Sequence, residues 1–157
     1  MPYRRAMSVE HAPPIVHELH LRCPADHAFD TYTRRFGAWW DPRYTANAET
    51  LQTIIIEPRV GGRIRATYGD IGDHDWGEVT VWAPGQRLVH TFTLAQDPDF
   101  PSEITVEFRP GETEGSCAVR FAHGGWTAEN AATRAKFRDW PILLDRFAAL
   151  AESRGTR

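Results

Sequence analysis

Trp140-Pro141-Ile142-Leu143-Leu144-Asp145-Arg146-Phe147-Ala148-Ala149-Leu150-Ala151 is the stretch that decides the fold. Trp140, Leu143, Leu144, Phe147, Leu150 and Ala151 recur at i, i+3, i+4, i+7, i+10 and i+11, one continuous apolar stripe on a helix. Such a stripe has to be buried against another element. Pro141 would clash inside a helix, so the main helix starts at Asp139 or Trp140 and is preceded by a separate helical piece around 128–137 with Thr127 as its N-cap. Gly155 ends the main helix.

The surface for the stripe lies upstream. Ile15, His17, Leu19 and Leu21 alternate with Val16, Glu18, His20 and Arg22, the period-2 pattern of a strand over 15–22. Pro24 opens a helix whose apolar face is Ala28, Phe29, Tyr32 and Phe36, and Gly37 ends it. Ala38-Trp39-Trp40-Asp41-Pro42 is a short aromatic segment closed by proline. Then strands follow at regular spacing. The run 51–57, with three consecutive Ile, has the composition of a strand buried on both faces. In 63–69, Ile64, Ala66 and Tyr68 share a face. A loop over 70–75 leads into 76–83, where Val79 and Val81 oppose Trp76, Glu78, Thr80 and Trp82. Strands 87–95, 103–109 and 116–123 complete the set, the last with Val119, Phe121 and His123 on one side. Segregated helices and a meandering antiparallel sheet make an α+β domain. Seven curved strands wrapped over one helix have more concave surface than the helix can fill, so an internal cavity is expected. The arm 1–13 is expected to be flexible, with a single domain over 14–154.

Composition removes several function classes. No stretch approaches the ~20 apolar residues of a membrane span. The segment 1–11 lacks the apolar core of a secretory signal, which makes the cytoplasm the expected location. A net charge of −3 with no run of basic residues lacks the footprint of a nucleic-acid binder. Cys23 and Cys117 have no paired-ligand spacing and read as buried, inert thiols. Asp70, Asp73, His74 and Asp75 lack the ordered pattern of a calcium loop and read as a solvated turn. No GxSxG, HExxH or phosphate-binding loop is present, and no metal or cofactor is implied.

Five segments carry a resemblance. They are Cys23-Pro24-Ala25-Asp26-His27-Ala28-Phe29; Phe36-Gly37-Ala38-Trp39-Trp40; Glu57-Pro58-Arg59-Val60-Gly61-Gly62-Arg63; Trp76-Gly77-Glu78-Val79 with Pro84-Gly85-Gln86-Arg87-Leu88; and His123-Gly124-Gly125-Trp126. In this order, across about 15–153, the sequence resembles the START-like (SRPBCC) superfamily, and within it the bacterial homologues of the heat-shock-protein-90 ATPase activator C-terminal domain. It differs in reading Asp139-Trp140-Pro141 where that family usually has a Gly-Trp pair. The resemblance implies a helix-grip fold. It also implies a list of functions: lipid and hormone binders, polyketide cyclases, proteins that sequester toxic ligands, and co-chaperone domains linked to the stress response. Fold alone does not choose among them.

With six Trp, eight Phe and four Tyr, large flat side chains fill a core or line a cavity. Phe36, Trp39, Trp40, Tyr68, Trp76 and Phe92 would converge in a helix-grip interior with Phe108, Phe121, Trp126, Trp140, Leu144 and Phe147. Two polar groups stand out. His123 continues the face of Val119 and Phe121, so it is a structural histidine or an acid–base group. Glu78 would be desolvated if the Trp76 side of its strand is concave, and solvated otherwise. The leading expectation is a hydrophobic or aromatic small-molecule ligand in the cavity. The alternatives are a small cyclase or hydrolase using Glu78 or His123, and a co-chaperone-like interaction domain. An edge strand of such a sheet also offers a surface for a homodimer.

Overall fold

The computed structural model describes residues 12–153. Nearly all of the expected arm, and Gly155, lie outside that range. The elements in order are β1 (Ile15–Leu21), α1 (Ala25–Arg34), α2 (Phe36–Trp39), β2 (Leu51–Ile56), β3 (Arg63–Tyr68), β4 (Gly72–Ala83), β5 (Arg87–Phe92), β6 (Ser102–Pro110), β7 (Cys117–Gly124) and α3 (Trp140–Glu152). Short 3-10 turns lie at Pro42–Tyr44 and Ala131–Lys136. Every strand pairing is antiparallel, and the order across the sheet is β1-β7-β6-β5-β4-β3-β2. The first and last strands are therefore neighbours, from Ile15 opposite His123 to Leu21 opposite Cys117. The sheet grips α3, whose Trp140, Leu143, Leu144, Phe147 and Ala151 are all buried. Pro141 is accommodated because it sits in the first turn, where no intrahelical donor is needed. No described helix is long and apolar enough to cross a membrane.

Four local expectations change. The helix that opens at Pro24 ends at Arg34, and Gly37 lies inside α2 instead of terminating α1. Gly37 is required by contact: a Cβ there would lie 2.6 Å from the carbonyl oxygen of Ile54 on the edge strand β2. The Ile run of β2 is not buried on both faces. Ile54 and Ile56 are core, while Ile55 is 47% exposed on an outer face that no described element covers. Upstream of α3 the chain forms a 3-10 turn, tied down by buried Asn130, whose side-chain oxygen accepts the Thr127 N–H at 2.7 Å.

The fourth change bears on the site. The expected loop 70–75 is short, and Asp73, His74 and Asp75 are strand residues paired with Thr67, Ala66 and Arg65. β4 then carries two bulges. Gly77 pairs with Ile64 and Asp75 with Arg65, leaving Trp76 as an extra residue; Val79 pairs with His90 and Val81 with Val89, leaving Thr80 as another. A one-residue insertion turns every following side chain to the opposite face. Trp76 and Val79 are consequently both buried, and Trp82 packs edge-on against Phe29 at 5.1 Å.

Candidate functional site

A cavity of about 360 Å³ opens at one end of the sheet, between the Pro42–Tyr44 turn, the loop after β5, the Ala131–Lys136 turn and the start of α3. Its volume falls within the range of small-molecule sites. Trp40, Phe92, Phe137 and Trp140 form aromatic walls, and Leu94 and Leu143 add aliphatic surface. Tyr44, Lys136 and Asp139 also line it. Asp41 builds one rim: its carboxylate accepts the backbone N–H of Arg43 at 3.0 Å and the Arg43 guanidinium, which holds the Asp41 pKa down at about 2. That turn presents Tyr44, whose hydroxyl donates to Asp139 at 2.9 Å. This bond pushes the Tyr44 hydroxyl pKa up.

The walls are held by a buried polar network. The Trp140 indole N–H donates to His123 Nδ1 at 3.1 Å. Because an indole only donates, the ring hydrogen of neutral His123 is on Nε2, which faces Ser102 Oγ at 2.7 Å. Ser102 Oγ donates in turn to the Phe92 carbonyl, which also accepts from the Gln96 side-chain amide at 2.7 Å. Burial is the main reason that the His123 pKa is pushed down to about 3. His90 is buried next to this group. Its Nδ1 lies 2.7 Å from the Thr91 carbonyl, its Nε2 has no partner among the described residues, and burial lowers its pKa to about 4. A Phe137 edge meets the His123 ring at 4.7 Å, and the Trp140 and Phe121 rings are 4.6 Å apart. The network thus fixes three cavity walls, Phe92, Phe137 and Trp140, by side-chain packing and hydrogen bonds.

Of the residues expected to line a pocket, the structure brings Trp40, Phe92 and Trp140 to this cavity. Trp76, Phe121, His123 and Trp126 lie behind these walls. Trp76 packs on Trp40 at 5.2 Å, and Trp126 donates its N–H to the His123 carbonyl. Tyr68 accepts the Ala46 N–H on its hydroxyl at 3.2 Å and so anchors the rim. Phe36, Trp39, Phe108, Leu144 and Phe147 form the packed core around Tyr32, away from the opening. Glu78 is a correction. The bulge at Trp76 turns it to the outer face, where its side chain is 48% exposed and lies 4.0 Å from Arg63. His123 is interior as expected, but both of its ring nitrogens are engaged. The lining residues Tyr44, Leu94, Phe137 and Asp139 had no place in the expected set. Phe137, an aromatic three residues before Trp140, was the one with a readable signal; the others come from aperiodic segments.

The family model for activator of Hsp90 ATPase homolog 1-like proteins matches residues 22–152. The chain belongs to this family. No curated protein matches the chain. Solved structures similar to it include protein MLL2253 from Mesorhizobium loti, at 22% identity over 90% of this chain and 98% of that one, with a TM-score of 0.65. The Aha1 dimer from Colwellia psychrerythraea is 19% identical over 90% of this chain and 97% of that one, with a TM-score of 0.63. The anthrahydroquino-γ-pyrone synthase Txn09, solved as a complex, is 28% identical over 88% of this chain and 96% of that one, with a TM-score of 0.62. The first two share the family fold, and the third joins that fold to a named synthase.

Proposed function

We propose that this member of the Hsp90-activator-like family binds a flat hydrophobic or aromatic small molecule in the cavity walled by Trp40, Phe92, Phe137 and Trp140. The cavity itself is the observation that carries the reading, and the name of the similar synthase, which describes a fused aromatic product, is consistent with it. A ligand losing ~300 Å² of apolar surface gains about 7 kcal/mol at ~25 cal/mol per Å². Association takes back about 4 kcal/mol or more. Stacking on aromatic walls adds ~0.5–1.5 kcal/mol per ring pair. Affinity from apolar contact alone is then modest, of order 100 μM.

The two groups considered for chemistry do not support the catalytic alternative. Glu78 faces outward, and His123 spends one nitrogen on Trp140 and the other on Ser102. The test is equilibrium dialysis of naphthalene-sized probes against excess protein, with a Leu94→Trp variant whose larger side chain fills the cavity. Binding to the parent and at least tenfold weaker binding to the folded variant is the expected result. Equal retention of the probes by both proteins, or none by either, would reject the cavity as the binding site.

A further inference from the structure

The donors and acceptors around the cavity define what its occupant must carry. Five lining side chains contain N–H or O–H groups: Trp40, Tyr44, Thr45, Lys136 and Trp140. Four are already committed within the protein. Trp40 donates to the Tyr44 carbonyl at 3.1 Å, Trp140 to His123 at 3.1 Å, Tyr44 to Asp139 at 2.9 Å, and Thr45 to the Pro42 carbonyl at 2.7 Å. Neither indole N–H is therefore left for a ligand. Lys136 differs. Its ammonium has three N–H donors, and one goes to the Ala95 carbonyl at 3.0 Å. No described carboxylate forms an ion pair with it, so two donors remain for a ligand at the mouth of a largely apolar site.

Asp139 sets the charge of that ligand. Its carboxylate lines the same cavity, accepts the Tyr44 hydroxyl, and has no cation within ion-pair distance among the described residues. An anionic ligand would set two negative charges against the single Lys136 ammonium at this cavity, whereas a neutral acceptor oxygen keeps one charge of each sign.

On the reading that the cavity is the binding site, we infer that its ligand is a neutral flat aromatic ketone or quinone whose carbonyl oxygen accepts from the Lys136 ammonium. The rings stack between the indole and phenyl faces, and the oxygen points to the mouth. Lys136 is then a specificity-determining residue. A hydrogen bond to a charged donor contributes about tenfold in affinity at the low end of its usual range.

Three probes of one ring system test this: 2-methylnaphthalene, 2-acetylnaphthalene and 2-naphthoate, each dialysed at low concentration against excess protein, wild type and Lys136→Met. The ketone is expected to bind the wild type about tenfold more tightly than the hydrocarbon, and to fall to the affinity of the hydrocarbon in Lys136→Met. The carboxylate is expected to bind no more tightly than the ketone. Equal affinity of ketone and hydrocarbon in the wild type would overturn the inference, as would a gap that survives Lys136→Met. A carboxylate that binds more tightly than the ketone would overturn the assignment of a neutral ligand. Failure of the hydrocarbon itself to bind would instead remove the cavity reading on which the inference rests.

Discussion

Acidification provides a direct test of the buried network behind the cavity. In the unfolded chain His90 and His123 titrate near 6.5, whereas in the folded chain burial lowers them to about 4 and about 3. Folded values below the unfolded one mean that the stability these groups carry is whole above pH 6.5. It is lost as the pH falls toward 4 and 3, because the unfolded state takes up protons that the folded state refuses. At pH 5 each histidine accounts for a loss of about 2 kcal/mol, and together they account for about 4 kcal/mol. Domains of this kind are stable by only ~5–15 kcal/mol, so the loss is a large share. The limiting slope is two protons, about 2.7 kcal/mol per pH unit. Asp41 does not contribute in this window, since its carboxyl is depressed from 3.8 to about 2 and its share is lost only below pH 4.

The perturbation that isolates the network is His123→Gln. Glutamine does not titrate, and its amide cannot meet Trp140 and Ser102 as the ring does, so the variant starts about 1–3 kcal/mol less stable at pH 7.5. Its proton uptake is halved, and its limiting slope falls to about 1.4 kcal/mol per unit. Wild type and variant thus converge near pH 5. Urea titrations followed by tryptophan emission at half-unit steps from pH 7.5 to 5 give both curves. A wild-type slope below one proton, or parallel curves for the two proteins, would refute the account of two buried neutral histidines.

Three further outcomes follow from packing. A Cβ at Gly77 would clash with the Thr91 carbonyl oxygen of the neighbouring strand, a backbone atom with no room to yield, so Gly77→Ala should cost about 3 kcal/mol in a urea titration, at the upper end of ordinary overpacking. Phe147 is fully buried against Tyr32 and Trp39, at 5.3 and 5.6 Å, and Phe147→Ala should cost ~3–5 kcal/mol by the same assay. Cys23 and Cys117 are both buried, and burial, with Cys23 alongside, pushes the Cys117 thiol up to about 12. Native protein at pH 8 should accordingly leave both thiols unreacted toward an aromatic disulfide reagent over minutes, and denatured protein should release two equivalents.

The parts of this fold that were legible in sequence are those in which one periodicity runs uninterrupted. Trp140, Leu143, Leu144, Phe147 and Ala151 of the α3 stripe and the β7 face of Val119, Phe121 and His123 are buried as their spacing required, and Leu150 of the stripe is half-buried. β4 defeated the same reading because its alternation is broken at Trp76 and again at Thr80, and a bulge has no composition of its own. Glu78 was consequently assigned to a possible interior when it belongs to the outer face. Gly37 shows a second source of ambiguity. A glycine that ends a helix and a glycine that lets a strand approach look identical in a single sequence, and only the 2.6 Å approach of Ile54 separates them. The cavity mouth was illegible for a third reason: Tyr44 and Asp139 are 95 residues apart, each in an aperiodic segment, and their hydrogen bond exists only once the sheet has set the two turns side by side. Even among the tryptophans, what separates wall from filler is invisible in composition. Trp39 and Trp126 give their N–H groups to the carbonyls of Tyr32 and His123 within the packed interior, while Trp40 and Trp140, whose N–H groups go to the Tyr44 carbonyl and His123 Nδ1, line the cavity. The chemistry of the site therefore follows from where each indole hydrogen goes, which depends on tertiary partners and not on the count of aromatic residues.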